Sequence, residues 1–548
     1  MLKVGFLGGL GEFGKNVTVF EQDGALLVVD CGAMFPEADT PGIDLVIPDF
    51  TYLQERADRV AGVVLTHGHE DHIGAVPFLL RAVPARLYAT PITLGLVGRK
   101  LEEAGVEPLA RHALEAGRTY EMGPFAVEPI PVTHSIPGAV SLAIRTGEGL
   151  FVHTGDFKLD QSPPDGRLTH YHRFMELGRE GVKGLLIDST NVEVEGVAGS
   201  EALVAARLEP HVAEQEGKLV VALFSTNLMR VQCLYDLAAR HGRKVALFGR
   251  SMVGNVKVAT DLGYLKVPPG VAVALEEVPS LDPSEVVVLC TGSQGEPLSA
   301  LSRIAFDESR FVDIREEDRV LISARIIPGN EKRVARIVNQ VYRKGGAVVT
   351  VRDDRIHVSG HGAQEEIKLV ASWVRPEYYV PVHGEYRQLK GNAHLAAQMG
   401  YSPERILLAE TGDALKFEGG RFAGREELPA GSLWIDGDSH DPVEKVVIRD
   451  RRHLSTDGVV VPIVVIGRQT GRLESEPEII SRGYPFLEGA DEQAEEVRRD
   501  IAAMVHELSH DEVRDTNILK AKVKSTVKRT LKRNEAKIPL IIPVVMEV

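Results

Sequence analysis

The stretch from His67 to His72 constrains this chain more than any other part of the sequence. It reads His-Gly-His-Glu-Asp-His and follows an apolar run, residues 60–66, that predicts a short buried strand. Residues 73–80 look like the start of a helix, so three imidazoles and an aspartate share one strand-to-helix turn. Imidazole and carboxylate together suit zinc, manganese or iron, and this spacing can supply ligands to two ions. A polar loop with exposed histidines is the alternative, but composition makes such a match rare by chance.

Length and composition limit the class of protein. A chain of 548 residues is too long for one hydrophobic core and predicts two to four domains. Its three cysteines are odd in number and far apart, which excludes a disulfide framework and fits a reducing cytoplasm. We predict no membrane segment and no signal peptide, because no apolar run approaches the ~20 residues of a membrane span. The net charge of −15 opposes binding of a polyanion unless metal ions or local basic clusters reverse the field.

A glycine-rich turn near the N-terminus resembles a dinucleotide fingerprint, and we reject that interpretation. Residues 9–14 match Gly-x-Gly-x-x-Gly, but the fingerprint requires a helix directly after the glycines. Residues 16–20 are instead β-branched and predict a second strand, as do residues 25–30. The glycines therefore indicate a tight turn, which we place near the metal site.

Two α/β regions follow, each with alternating strands and helices. In residues 31–200, several apolar strands end in polar residues, the place where α/β folds put their chemistry. A second α/β unit with a parallel sheet is predicted from five apolar strands. Those strands are residues 219–224, 245–249, 286–290, 320–324 and 347–351.

These motifs together resemble those of a known family. His-x-His-x-Asp-His after a buried strand resembles the signature of the metallo-β-lactamase superfamily. Asp188, His361 and His383 resemble the three motifs that separate the β-CASP nucleases from other members. The opening, Gly8-Gly9-x-x-Glu12 followed by Gly14-Lys15-Asn16, and the layout of the whole chain are similar to the ribonuclease J family.

The resemblance implies a fold and a domain order. It implies an α/β protein, with a metallo-β-lactamase αββα sandwich, an inserted α/β β-CASP domain and a small α+β C-terminal domain. The predicted ranges are 1–200 for the first part of the sandwich, 201–355 for the insertion, 356–430 for the second part, 431–455 for a Gly/Asp/Ser-rich linker and 456–548 for the C-terminal domain.

The resemblance also implies a ligand set for two divalent metal ions per subunit, zinc or manganese. Singly, a histidine or aspartate at a strand end is usually an ordinary polar residue. By resemblance, one metal is held by His67, His69 and His134, the other by Asp71, His72 and His383, and Asp156 bridges the two. Asp30 and His153 also lie near strand ends, and we predict supporting or structural roles for them.

Catalytic and substrate roles follow from the same resemblance. We predict that His361 is the general acid, oriented by Asp188, with His357 as its competitor, and we count Asp71 as catalytic as well as a ligand. The RNA 5′-monophosphate is expected at a phosphate site. Its predicted residues are Ser225, Asn227, His357, Ser359, Gly360 and His361. Phe50 either stacks on a base or packs in the core.

The implied function is a cytoplasmic, metal-dependent ribonuclease that acts in RNA decay and maturation. It would bind single-stranded RNA, work 5′-to-3′ from a 5′-monophosphate and also cut internally, as a homodimer held partly by the C-terminal domain, with possible partners in an RNA-decay complex. A DNA-directed β-CASP nuclease in repair stays open, because the motifs do not name the sugar. Asp188, His361 and His383 together argue against a thioester or lactam hydrolase, and the complete ligand set argues against a scaffold subunit. The basic stretch 520–533 is a solvated face, an RNA guide or a subunit contact.

Overall fold

In the computed structural model, two β-sheets face each other across a shared core. The structure describes residues 1–36, 40–327, 329–437, 441–485, 487, 491–533 and 537–548. Phenylalanines from both sheets meet in this core, and the Phe20 and Phe151 rings lie 6.1 Å apart in an edge-to-face contact. The alternation of apolar residues along these strands puts one face of each sheet into the core.

The strands of the first sheet, in spatial order, are Arg421–Glu427, Asp413–Glu418, Leu2–Gly8, Val17–Gln22, Ala25–Val29, Val60–Val64, Arg86–Ala89 and Ala110–Ala113. Those of the second sheet are Tyr378–Val382, Val182–Asp188, Gly149–His153, Val140–Thr146, Phe125–Pro131 and Tyr120–Met122. The strands predicted at residues 16–20 and 25–30 are confirmed as Val17–Gln22 and Ala25–Val29. The glycine turn is therefore followed by a strand and not by the helix that a dinucleotide fingerprint requires.

Helices cover the outer faces of both sheets. Tyr171–Glu180 and Gln364–Val374 pack on the second sheet through residues such as Phe174 and Ile367. Pro91–Ala104 contacts strands of the first sheet. The remaining helices of these layers are Thr51–Gln54, Glu70–Ile73, Val76–Ala82 and Tyr386–Gln398, with short 3₁₀ turns at Ala57–Arg59 and Pro403–Arg405. The resulting order is helix, sheet, sheet, helix, and the predicted fold class is confirmed.

A third, fully parallel sheet lies between the two parts of this sandwich in the chain. Its strands, in spatial order, are Ala272–Val273, Lys244–Phe248, Val286–Cys290, Leu219–Ala222, Arg319–Ile322 and Ala347–Val349. Its helices are Glu201–Ala213, Leu228–Arg240, Arg250–Asp261, Ala300–Ala305 and Glu331–Arg343, with 3₁₀ turns at Leu275–Ser280 and Pro283–Glu285. The five strands predicted here are confirmed to within two residues, because buried parallel strands are short, continuous apolar runs.

The chain returns from this insertion directly beside the strand it left. Tyr378–Val382 pairs in parallel with Val182–Asp188, and Val382 is opposite Asp188. The carboxyl ends of these two strands are therefore neighbours, although the insertion separates them in the sequence.

The C-terminal part of the chain forms a separate compact unit. It comprises Phe35–Val46 and Leu433–Val548, whereas Met1–Met34 and Ile47–Ser432 form the other unit. Its main sheet contains Glu478–Arg482, Val459–Ile466, Leu540–Ile541 and Val544–Glu547. Its helices are Lys445–Asp457, Asp491–Glu507, His510–Arg514 and Thr516–Arg533. Among the helices that the structure describes, none has the length and apolarity needed to cross a bilayer.

The prediction of a linker at residues 431–455 is wrong. The structure places the strands Ser432–Ile435 and Pro442–Val443 and most of the helix Lys445–Asp457 in this range. Ile435 and Ile448 are buried, and Arg451 of the helix donates to the carbonyl oxygen of Gly42 at 2.9 Å. Of the residues that suggested a linker, Ser432 lies within a strand and Gly437 lies in a turn after it, and residues 438–440 lie outside the described residues.

Candidate metal centre and active site

The His67–His72 motif lies on the turn between strand Val60–Val64 and helix Glu70–Ile73. Asp30, at the end of the neighbouring strand, organises this turn. Its carboxylate accepts hydrogen bonds from the backbone N–H and the hydroxyl of Thr66 at 2.7 and 2.8 Å and lies 2.8 Å from Nδ1 of His72. His72 is thereby oriented with Nε2 toward the remaining ligands, which is the supporting role predicted for Asp30.

Three further site residues follow strands of the second sheet that all run in one direction. His134 follows Phe125–Pro131, Asp156 follows Gly149–His153, and His383 follows Tyr378–Val382. The carboxyl ends of such strands meet at one edge, which brings these side chains together. His383 adopts a left-handed backbone conformation, φ +58°, that is uncommon for a residue other than glycine.

The predicted ligands converge into three overlapping groups whose donor atoms lie within 4.8 Å of one another. The first is His67, His69, His134 and Asp156, the second is Asp71, His72, Asp156 and His383, and the third is Asp156, Asp188, His361 and His383. Asp156 is common to all three. Every metal ligand predicted from the sequence is therefore present in a group.

The first group is rich in neutral imidazole. Nδ1 of His69 lies 3.0 Å from Nε2 of His67 and 3.0 Å from Nε2 of His134. Burial lowers the pKa of all three side chains, that of His69 to about 4. Neutral imidazole is the form that binds a metal, so this group can accept a cation at neutral pH without first losing protons.

The second group is rich in carboxylate. Nε2 of His72 lies 3.2 Å from Oδ2 of Asp156, and Nε2 of His383 lies 3.4 Å from Oδ2 of Asp71. Burial alone would lower the pKa of His72 and His383, but the carboxylates outweigh it. They raise the pKa of His72 well above its usual value and that of His383 to about 10. This group therefore attracts positive charge strongly.

Two histidines of the first group have their second ring nitrogen next to a defined hydrogen-bonding partner. Nδ1 of His67 lies 3.0 Å from the Thr66 hydroxyl, and Nδ1 of His134 lies 2.6 Å from the carbonyl oxygen of Gly360. Such contacts set the tautomer and the ring orientation of metal-binding histidines. Clustered imidazoles and carboxylates with fixed orientations fit divalent metal ions such as zinc. The cluster is thus suited to divalent metal binding.

His361 and His357 differ in their electrostatic environment. Nδ1 of His361 lies 2.8 Å from Oδ2 of Asp188, and the pKa of His361 is raised because Asp188 and Asp156 outweigh the effect of burial. His357 belongs to none of the three groups and accepts a hydrogen bond from Nη1 of Arg230 at 2.7 Å. Burial and this cation lower the pKa of His357 well below its usual value. Of the two histidines, His361 is therefore the one that keeps its proton to higher pH.

The predicted phosphate-site residues have mixed surroundings. Ser225 is half-buried and accepts from Asn255 at 3.2 Å, and the Ser359 hydroxyl accepts from the backbone N–H of His361 at 3.1 Å. Asn227 is buried and caps helix Leu228–Arg240 with its side-chain oxygen. Phe50 is 3% exposed, so of its two predicted roles the structure favours packing in the core over stacking on a base.

Two features of the site were not anticipated from the sequence. The Asn16 amide donates to the backbone oxygen of Asp71 at 3.0 Å and lies 3.4 Å from Oδ2 of Asp71 and 3.2 Å from Nε2 of His72. Gly360 approaches His134 so closely that an added Cβ atom would lie 2.7 Å from the imidazole ring. The Gly-Lys-Asn sequence was the available signal for Asn16, whereas no local pattern indicates the Gly360 contact.

Family models cover most of the chain. Residues 10–188 match the metallo-beta-lactamase superfamily, and residues 216–341 match the beta-CASP domain of ribonuclease J. Residues 348–406 match the Zn-dependent metallo-hydrolase RNA specificity domain, and residues 446–548 match the ribonuclease J C-terminal domain. The succession of these models follows the fold, in which the β-CASP sheet lies between two parts of the sandwich.

Relatives match along the full length. The chain is 39% identical to ribonuclease J of Mycobacterium tuberculosis, covering 100% of this chain and 97% of the relative. It is 38% identical to ribonuclease J of Thermus thermophilus, covering 99% and 94%. A crystal structure of an Enterococcus faecalis protein of unknown function shares the fold at 16% identity, with a TM-score of 0.52 over 76% of this chain and 99% of that one. The resemblance seen in the sequence is confirmed, and the chain belongs to the ribonuclease J family.

Proposed function

We propose that this chain is a metal-dependent ribonuclease that hydrolyses phosphodiester bonds with two divalent ions. The observation that carries the proposal is the sharing of Asp156 by two ligand groups, next to the pair formed by His361 and Asp188. A shared carboxylate favours two ions close together, the arrangement that suits in-line displacement at phosphorus. The matches to ribonuclease J domains along the chain support RNA as the substrate.

When bound, two such ions supply a nucleophile from water near neutral pH and neutralise charge on the phosphate. The protein would hold one ion with His67, His69 and His134 and the other with Asp71, His72 and His383, with Asp156 between them. His361, whose pKa is raised by Asp188, would give its proton to the leaving 3′-oxygen. Asp71 would contribute to the reaction by holding the second ion.

We propose further that cleavage proceeds 5′-to-3′ from a 5′-monophosphate and also occurs internally. The terminal phosphate would lie near Ser225, Asn227, Ser359 and Gly360, with His357 in reach. Neutral donors can satisfy one monophosphate through charge-assisted hydrogen bonds. A triphosphate brings more charge than they balance, and a hydroxyl end leaves the donors without an acceptor.

The remaining parts of the proposal concern the setting. Zinc and manganese both suit imidazole and carboxylate ligands, and the metal available to the cell decides between them. The proposed state is a homodimer in the cytoplasm that acts on single-stranded RNA, with partners in RNA decay.

One experiment tests the activity and its alternative, a DNA-directed nuclease of the same fold. Matched single-stranded RNA and DNA are incubated with the metal-loaded protein, with and without chelator, and products are sized on a gel. We expect chelator-sensitive cleavage of RNA, fastest for RNA with a 5′-monophosphate. Cleavage of DNA in preference to RNA would reject the proposal in favour of the alternative, and cleavage that persists in chelator would reject the metal mechanism.

A further inference from the structure

Helix Thr516–Arg533 carries an unusual concentration of positive charge. Its 18 residues include seven lysines and arginines and no acidic residue, although the chain has a net charge of −15. Four of its lysines recur at every fourth residue, Lys520, Lys524, Lys528 and Lys532, and all four are exposed. We call them the lysine stripe. At 1.5 Å per residue the stripe is about 18 Å long.

Within the described residues, the lysine stripe takes part in no ion pair. Among the described residues, no carboxylate oxygen lies within 4.0 Å of any of its four ammonium groups. On the same helix, Lys522 pairs with Glu512 at 3.2 Å and Arg533 pairs with Asp500 at 2.5 Å. Like charges four residues apart destabilise a helix, so the stripe has an energetic cost that pairing reduces for Lys522 and Arg533. An external anion would remove that cost.

The side chains that the helix exposes decide which kind of anion it can bind. A helix that inserts into an anionic membrane needs an exposed apolar face. Here the apolar face, formed by Leu519, Val523, Val527 and Leu531, is completely buried in the core of the C-terminal unit. The helix also contains no aromatic side chain on which a base could stack. What remains is a row of ammonium groups suited to a chain of phosphates.

We propose that the lysine stripe binds the phosphodiester backbone of RNA through residues that include none of the predicted metal ligands. This inference rests on the proposed function, because it takes the substrate of the metal centre as its ligand. Binding through ammonium groups alone is independent of base sequence and strongly dependent on salt. Each lost contact with a single-stranded nucleic acid lowers the slope of log affinity against log salt concentration by about 0.7.

The test uses the full chain in chelator, so that RNA is bound and not cut. Binding of a labelled, unstructured RNA is followed by fluorescence anisotropy over a range of salt concentrations. For Lys524→Gln with Lys528→Gln we expect the slope to fall by about 1.4 and the affinity at low salt to fall on the order of ten-fold. The matched control is Lys522→Gln with Arg533→Gln, which removes the same charge from the same helix but from residues that are already paired. The control should keep a slope close to that of the unmodified protein, and thermal unfolding checks that both variants are folded.

Equal slopes for the two double variants would overturn the proposal. So would loss of binding to anionic vesicles, or a change in sedimentation, in the stripe variant while its RNA binding stays unchanged, since the stripe would then serve a membrane or a second copy of the chain. Cleavage of RNA by the metal-loaded, unmodified protein is measured separately. It distinguishes failure of the lysine stripe from failure of the proposed function.

Discussion

His361 and Asp188 form a hydrogen bond of 2.8 Å between Nδ1 of the imidazole and Oδ2 of the carboxylate. The two residues are 173 positions apart in the sequence. The carboxylate raises the pKa of His361 and fixes its ring, so the opposite nitrogen is the one available to donate a proton. The pair therefore has the features of a proton donor and its positioning residue.

The first prediction concerns this donor. His361→Ala should slow RNA cleavage by roughly 10²–10⁴, the usual contribution of a general acid, while RNA binding is retained. Single-turnover cleavage and anisotropy measure the two effects. His357→Ala is the control, because the pKa of His357 is lowered and its partner is a cation. It should mainly weaken binding, and a reversed result would exchange the roles of the two histidines.

The second prediction concerns the approach of Gly360 to His134. A Cβ atom at residue 360 would lie 2.7 Å from Cε1 and 2.9 Å from Nδ1 of His134, so Gly360→Ala must displace the ring. We expect loss of metal from the first ligand group, measured by mass spectrometry of the metal content, and a parallel loss of cleavage. Gly362→Ala is the matched control, since its closest contact, 3.1 Å to Cβ of Glu366, involves no ligand. Full metal content in Gly360→Ala would contradict the prediction.

The third prediction concerns Asn16. Its amide holds the backbone of Asp71 and approaches both the Asp71 carboxylate and His72, two members of the second group. Residues that orient metal ligands typically contribute about 10–100-fold to metal affinity. Asn16→Ala should therefore lower the affinity of the second ligand group for its ion by that factor. Metal titration monitored by calorimetry measures the affinity of each ion. Asn255→Ala, a buried asparagine of the inserted domain, should leave both affinities unchanged. Equal metal affinities in the two variants would show that Asn16 does not support metal binding.

The fourth prediction concerns pH and stability at a distance from the metals. The buried Glu128 carboxylate accepts from Arg173 at 2.7 and 2.9 Å and from Arg145 at 3.1 Å, and these contacts lower its pKa. A lowered pKa means that the carboxylate stabilises the fold above its ordinary pKa of 4.5 and loses this effect as pH falls through the folded value. Glu128→Gln should reduce the free energy of unfolding by about 1–2 kcal/mol at neutral pH.

The measurement for Glu128 is urea unfolding of both proteins at neutral pH and again in acid. The difference between them should shrink in acid, because the unmodified side chain is then also uncharged. A difference that stays constant with pH would show that the charge of Glu128 does not contribute.

The sequence predicted much of the fold because its signals are local. Strands such as Val286–Cys290 are short apolar runs bounded by polar or glycine residues, and they were located to within two residues. The convergence of the ligands could also be expected, since each follows the carboxyl end of a strand and such ends share an edge. His134 and His383 are examples.

Contacts between distant parts of the chain could not be predicted. The carbonyl oxygen of Gly360 contacts Nδ1 of His134 although the two residues are 226 positions apart, and no sequence periodicity predicts such a contact. The same holds for Phe35–Val46, which joins the C-terminal unit through contacts such as the backbone hydrogen bond from Asp44 to Ile435. Gly and Asp residues near position 436 suggested a linker because they are typical of turns. Composition does not show which elements pack beside those turns.

The inserted β-CASP sheet also orders events during synthesis. Asp71, His72 and Asp156 precede the insertion, whereas His383 follows it. A nascent chain leaving the ribosome therefore displays the histidine motif long before it can complete the second group of ligands. A fragment released before residue 383 lacks one member of the second group, so that group becomes complete only after the whole inserted domain has been synthesised.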